Sequence, residues 1–216
     1  MPAPRTRRQP GRWVGQEPED RRAARRAMLL EAGLQLMGTE GAAAATMRAT
    51  CRQAGLTERY FYESFETRDD LVVAVLDAVV LGARDTLLGA LADGPEDPEL
   101  LVRHVIKAFT SYVARDRRRG RIMFVEAQSV PELQDRGKEL IELFTAPLGP
   151  VLAVLSGAEE EPDAVTVQFN SIAIFGALAF LYQDWLTGSA RISQRRIVEH
   201  VSQIIEAFAR VDSTPI

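Results

Sequence analysis

Cysteine occurs once in the 216 residues, at position 51, so no disulfide can form within the chain. Stability must then come from a packed core, as suits a reducing, cytoplasmic setting. Histidine occurs twice, and neither His104 nor His200 has Cys, Asp or Glu neighbours at metal-ligand spacing. Nothing in the chain resembles a nucleophile elbow or a phosphate-cradling glycine loop. The expectation is therefore no enzyme, no metal and no cofactor. Long apolar runs are missing too: the longest, Ile172–Tyr182, is eleven residues, against about 20 for a bilayer-spanning helix. The leader MPAPRTRRQPGRWVGQEPED carries positive charge with no apolar stretch behind it, so it does not read as a secretory signal. No segment alternates convincingly as a strand, which leaves an all-α fold.

The formal charge of −4 argues against an anionic partner until it is divided along the chain. Residues 1–68 hold 12 Arg and 8 acidic residues, net +4, and residues 69–216 hold 14 basic and 22 acidic residues, net −8. Such asymmetry points to an N-terminal region that faces a polyanion and a remainder that does not. Residues 1–18, interrupted by proline and carrying Arg5, Arg7, Arg8 and Arg12, read as a basic arm.

Helix signals begin near Pro18, where acidic residues suit a helix start, and the first helix is expected to stop at Gly38 and Gly41. A short helix follows, capped by Thr46 and ended by Gly55, and a third begins at Thr57, with Leu56 placed to pack on Phe61. Two short helices joined by a glycine-containing turn form a helix-turn-helix pattern. Thr67 and Asp70 have capping-box spacing and open a fourth helix reaching about Leu91. Further helices are expected at roughly 97–115, 117–128, 131–156, 162–187 and 193–210.

Aromatics make up 7% of the chain, yet four stand in the six residues Tyr60-Phe61-Tyr62-Glu63-Ser64-Phe65. At 100° per residue Phe61 and Phe65 share one face, Arg59 and Glu63 lie opposite, and Tyr60, Tyr62 and Ser64 lie on the flanks. Two aromatics are thus set to fill a core. The others offer hydroxyls, beside a guanidinium, for phosphates and base edges. Glu58 and Glu63 are acidic on or near that side, free either to accept from cytosine N4 or to pair with Arg59.

The segment Thr46-Met47-Arg48-Ala49-Thr50-Cys51-Arg52-Gln53-Ala54-Gly55-Leu56-Thr57, followed by Tyr60-Phe61-Tyr62-Glu63-Ser64-Phe65 and Thr67-Arg68-Asp69-Asp70-Leu71, resembles the DNA-binding signature of the tetracycline-repressor (TetR) family. The resemblance implies a homodimer: an N-terminal three-helix helix-turn-helix domain, here 19–68, binds double-stranded DNA. A larger helical ligand-binding and dimerisation domain, here 69–216, follows it. It also implies roles: Thr46 and Thr57 near phosphates at two helix starts, Arg59, Tyr60 and Ser64 at bases or backbone, Tyr62 on a phosphate. Arg68 would be the basic residue at the start of the fourth helix. Arg48 and Glu63 complete the expected DNA-facing set. The sequence departs from the family at Ala42, where an aromatic is common, and at Thr50, where an aliphatic is common.

In the second domain the helix at about 162–187 is apolar nearly all round, with Ile172, Ile174, Phe175, Leu178, Phe180 and Leu181. A helix apolar on every side must be buried on every side, which suggests a partner subunit, with the helix at about 193–210 as its companion in the homodimer interface. Polar residues stranded among apolar ones hint at a small-molecule effector site. Tyr112, Glu126 and Asn170 are expected to converge with Phe109, Met123, Phe144 and Ile174 on a largely apolar pocket. The arginine-rich run Arg115–Arg121 reads as a solvated corner. The expected function is a transcriptional regulator, as a repressor that a small apolar effector releases from a near-palindromic operator. A helical ligand-binding protein without DNA binding, or a helical-bundle enzyme, are the alternatives.

Overall fold

The computed structural model describes residues 18–145, 164–188 and 192–211, and all regular structure among them is helical. The expected basic arm, apart from Pro18, and the expected continuation of a helix from 146 to 156 lie outside the described residues.

Helix α1 (Pro18–Glu40) opens with Glu19 and Asp20 beside its exposed N–H groups and ends before Gly41, whose φ of 100° suits a residue without a side chain. Gly38, expected to help stop it, instead lies inside the helix. A single 3₁₀ turn (Ala42–Ala44) leads to α2 (Met47–Ala54), where the Thr46 hydroxyl accepts from the Ala49 N–H at 3.2 Å. Gly55, at φ 66°, closes α2: its N–H donates to Arg52 O and the Leu56 N–H to Cys51 O. That double return is a Schellman motif, and it turns the chain at once into α3 (Glu58–Tyr62). Helix α4 (Arg68–Ala92) starts with the full reciprocal capping box between Thr67 and Asp70.

Phe61 and Phe65 are buried, their ring centres 5.7 Å apart, in one core cluster that includes Leu29 and Met37 of α1, Cys51 of α2 and Leu71 of α4. Thr50 is buried there as well, and its hydroxyl has no hydrogen-bond partner among the described residues, which goes with the departure from an aliphatic noted at that position.

Beyond this bundle come α5 (Pro98–Arg115) and α6 (Arg117–Arg121), then a π-helical turn (Ile122–Glu126) and the short α7 (Ala127–Ser129). The chain continues in α8 (Pro131–Thr145), α9 (Ala164–Thr187) and α10 (Gln194–Val211). Helix α4 packs on α5 and α8, and α10 lies chiefly along α5 and secondarily against α9. The centre of this larger bundle is aromatic. The rings of Phe124 and Tyr182 stack, Phe109 meets both edge-to-face, with ring centres 5.2–6.3 Å apart, and the Tyr182 hydroxyl meets Thr110 Oγ1 at 2.6 Å.

The two bundles meet where α6 crosses α1. The run Arg115–Arg121 is not the solvated corner expected from its charge; it forms this joint. Arg118 binds Asp116 in a two-pronged pair, Nε to Oδ1 at 2.8 Å and Nη2 to Oδ2 at 2.7 Å, while its Nη1 reaches Glu31 and Gln35 of α1, both at 2.8 Å. Arg119 lies over the Tyr112 ring at 4.2 Å, and Arg121 donates to Thr39 O. The crossing is close because residue 38 is glycine: a Cβ there would collide with the Arg118 Cβ and backbone. Hydrogen bonds from Arg118 hold the Asp116 carboxyl below its ordinary range, against the opposing effect of burial.

Two outcomes follow for the joint. Gly→Ala inside a helix ordinarily stabilises by about 1 kcal/mol; Gly38→Ala should instead lower the melting temperature, because overpacking costs about 1–3 kcal/mol. Asp116→Asn keeps the capping ability and removes the charge, so at neutral pH it should destabilise by about 1–2 kcal/mol. A lowered carboxyl pKa means that this contribution is complete above the ordinary value of 3.8 and is lost as pH falls through the lower folded value. The difference between wild type and variant should therefore hold steady above pH 3.8 and shrink only as pH falls below it through the lower folded value.

Candidate nucleic-acid interface and apolar cavity

Helix α3 stands on the outside of the N-terminal bundle, held from beneath by Phe61. The two edge aromatics differ: Tyr62 is 58% exposed, whereas Tyr60 is half-buried with the Arg25 guanidinium 4.4 Å from its ring centre. Thr57 occupies the N-cap position of α3 in extended conformation, yet its hydroxyl makes no capping bond, so it is available to an outside acceptor. Thr46 is likewise exposed at the start of α2. Arg48 and Arg59 have exposed side chains. Thr46, Arg48, Thr57, Arg59 and Tyr62 therefore form the outer part of the expected set, on two helices joined by one tight turn.

The other members are placed differently. The regular helix ends at Tyr62, and Glu63 follows it half-buried against α1 instead of standing free on the outer face. Its Oε1 accepts from Arg59 Nε at 3.1 Å, its Oε2 from Arg25 Nη2 at 3.2 Å, and its carbonyl from Arg22 Nη2 at 2.7 Å. Glu58 pairs with Arg48 at 3.5 Å and not with Arg59. Ser64 is half-buried beyond the helix end. Arg68 turns inward: its Nη2 donates to Ala42 O at 2.7 Å, and its Nη1 meets Asp69 at 2.9 Å and Glu132 of α8 at 3.6 Å. Arg22 and Arg25 were missed as partners of α3; the signal for them is the paired arginine repeat Arg21, Arg22, Arg25, Arg26 at helical spacing in α1.

The residues expected to form a pocket do not converge as a set. A cavity of about 250 Å³ opens between α4, the π turn, α8 and α9, and is walled mainly by apolar atoms of Leu76, Val80, Met123, Ala127, Leu140 and Phe175. Gln128, Gln134 and Lys138 stand at the same wall. Of the expected residues whose side chains are described, only Met123 lines it. Phe109 is locked in the aromatic centre, and Ile174 is buried one residue from the lining Phe175. The Tyr112 hydroxyl donates to Val79 O at 2.9 Å, on the other side of α4. Asn170 is half-buried in α9, and the side chain of Phe144 lies outside the described residues.

Glu126 is the clearest departure. Its carboxylate accepts from the Ala42 N–H at 2.8 Å and from Arg121 Nε at 3.1 Å, away from the cavity and toward the turn that precedes α2. The π turn adds a residue to the helical circuit and so resets the facing of everything after it. Met123 and Ala127 consequently face the cavity while Glu126, between them, faces the N-terminal bundle.

No described helix is long and apolar enough to cross a membrane. Residues 29–75 match the family model of the bacterial regulatory proteins, tetR family. No protein of curated function matches the chain in sequence. Solved structures share its fold over most of its length. The fatty acid degradation regulator FadR of Bacillus halodurans superposes with a TM-score of 0.72 at 17% identity, over 84% of this chain and 94% of that one. The transcriptional regulator FadR of Bacillus subtilis, in complex with stearoyl-CoA, gives 0.71 at 15% identity, over 84% and 98%. A transcriptional regulator of Pseudomonas aeruginosa PAO1 gives 0.72 at 21% identity, over 94% and 99%. Residues 29–75, with their capped helix-turn-helix, thus match the DNA-binding segment of the tetR family of bacterial regulatory proteins, on a helical fold shared over most of the chain with these solved structures.

Proposed function

We propose that the protein is a homodimeric, effector-responsive DNA-binding regulator, acting in the cytoplasm as a repressor that releases a near-palindromic operator when a small, largely apolar molecule enters the cavity beside the π turn. The observation that carries the DNA-binding half is the outer surface of α2 and α3. There the unbonded Thr57 hydroxyl, the exposed Tyr62 and the outward Arg48 and Arg59 are all donors suited to phosphates and base edges. Thr46 extends that surface at the start of α2, the half-buried Tyr60 and Ser64 stand at its margin, and Arg68 braces it from behind.

Dimerisation rests on α9. Val165, Phe169, Ile172 and Phe180 are 54–70% exposed and fall on one face at helical spacing, while Ile174, Leu178 and Tyr182 on the opposite side are buried. A Cβ added to Gly176, between Ile172 and Phe180 on that exposed face, would meet nothing within 4 Å, which leaves room for a second helix to approach closely. Burying such a stripe against a symmetry mate is the ordinary solution, and two copies would present two α3 helices to successive half-sites.

The effector half rests on the cavity lining, apolar with amides and one lysine at its wall. Long-chain acyl thioesters, of the kind bound by the Bacillus subtilis relative, are a first class to test. The π turn supplies the connection. A ligand that displaces Met123 or Ala127 moves the segment carrying Glu126, and Glu126 holds the turn ahead of α2. For release, the ligand must bind the DNA-incompetent arrangement better; couplings are typically about 1–3 kcal/mol, or roughly 5- to 150-fold in DNA affinity.

The test is a gel shift with a duplex selected from a randomised library, over a salt series and with stearoyl-CoA added. A steep fall in affinity with salt is expected, and absence of any bound duplex contradicts the proposal. Tyr62→Phe should weaken binding to selected and scrambled duplexes alike, by about 1 kcal/mol or roughly fivefold for one lost hydrogen bond to phosphate. Unchanged affinity on both would remove Tyr62 from the interface.

A further inference from the structure

The carboxylate of Glu63 stands beside the surface proposed to meet DNA, where a negative charge is repelled, and it is engaged on both oxygens by arginines from two helices. We propose that Glu63 is a positioning residue for sequence readout: by holding Arg59 at Nε it presents the outer Nη1–Nη2 edge of that guanidinium to a guanine in each half-site. This rests on the DNA-binding reading of α2 and α3.

Geometry on both sides of the pair supports it. The Arg59 side chain is 84% exposed and, among the described residues, bonds to Glu63 Oε1 through Nε at 3.1 Å. A guanidinium gripped by Nε keeps its two terminal nitrogens parallel and unblocked, the arrangement that matches O6 and N7 of guanine. An arginine exposed to that degree would otherwise sample many rotamers, and holding it in one lowers the ordering cost that base contact imposes.

Stability is a poor explanation for the pair. An exposed i,i+4 ion pair contributes little, and with the arginine on the N-terminal side it has the weaker orientation. Nor is Glu63 placed to read cytosine itself, since Arg59 and Arg25 each occupy one oxygen and its side chain is 31% exposed. Arg25 takes part in the same arrangement: bonded to Glu63 and lying over Tyr60, it fixes the base of the pair to α1. Arg22 does the same through the Glu63 carbonyl.

The experiment selects binding duplexes from a randomised library with full-length wild type, Glu63→Gln, Arg59→Ala and the double variant. Affinities are then measured for the wild-type consensus, for single-base substitutions of it and for a scrambled duplex, with melting temperatures alongside. Expected for wild type is a guanine in each half-site whose replacement weakens binding by roughly 5- to 150-fold. In Glu63→Gln that penalty should shrink at least about fivefold while affinity for the scrambled duplex does not fall, since one repelling charge is gone. Arg59→Ala should erase the same position, and adding Glu63→Gln to it should change nothing further.

Three results would overturn the inference. One is an unchanged preference in Glu63→Gln. Another is a lost preference for a cytosine that persists when Arg59 is already alanine, which would make Glu63 itself the base contact. The third is an equal loss on all duplexes together with a lowered melting temperature, which would make the pair structural only. If wild type enriches no sequence at all, the DNA-binding reading falls and takes this one with it.

Discussion

One residue, Ala42, is held from two directions through its backbone, and the relation between the two bundles depends on it. Its N–H donates to Glu126 of the π turn, and its carbonyl accepts from Arg68 at the head of α4. Both partners are charged, and Ala42 is buried, so each bond is of the stronger kind. Releasing Glu126 would leave the buried Ala42 N–H without that partner, at about 1–3 kcal/mol, whereas the carbonyl also accepts from the Ala45 N–H at 3.1 Å. A small side chain at residue 42 fits this placement, since the site is crowded by the partners of its own backbone. The neighbouring Gly41, at φ 100°, sets the approach, with Glu126 and Arg121 atoms within 3.7 Å of where its Cβ would be.

Around that node the charged residues act as fasteners. Arg118 ties α6 to Glu31 and Gln35 of α1, Arg121 ties it to Thr39, and Arg68 reaches on to Glu132 of α8. The N-terminal bundle thus rests on the larger one through hydrogen bonds with defined directions in addition to apolar packing. Such a joint has discrete arrangements and does not deform smoothly, a suitable property for an element expected to occupy a DNA-competent and a DNA-incompetent state. The cavity lies on the far side of the same π turn, so the proposed effector would act on the fastener closest to it.

Local signals carried much of this in the sequence. Thr46, Gly55, Thr67 and Asp70 are caps whose geometry is decided within four residues, and the structure reproduces each. Phe61 and Phe65 followed from helical periodicity alone, and both are buried. The misreadings involve partners far away in the chain. Glu126 looked like a ligand contact because its neighbours are apolar; its partner is a backbone N–H 84 residues earlier, and a π turn, invisible to a 3.6-residue period, aims it there. Arg115–Arg121 looked solvated because it is charged, yet Glu31 and Gln35 meet it from α1. For Glu63 the sequence left cytosine and Arg59 both open; the structure pairs it with Arg59, and Arg25, 38 residues upstream and not foreseen, takes its second oxygen. Long-range polar pairing leaves no periodic trace in a single sequence.

The central claim is that the Glu126 carboxylate secures the turn ahead of the helix-turn-helix. Amide hydrogen exchange, resolved by residue, on wild type and on Glu126→Met tests it most directly, since methionine keeps the length of the side chain and removes the acceptor. The account predicts that the Ala42 amide exchanges at least about tenfold faster in the variant, equivalent to about 1.4 kcal/mol. A smaller acceleration should run through α2 and α3, with none in α10. Equal exchange at Ala42 in the two proteins would contradict it.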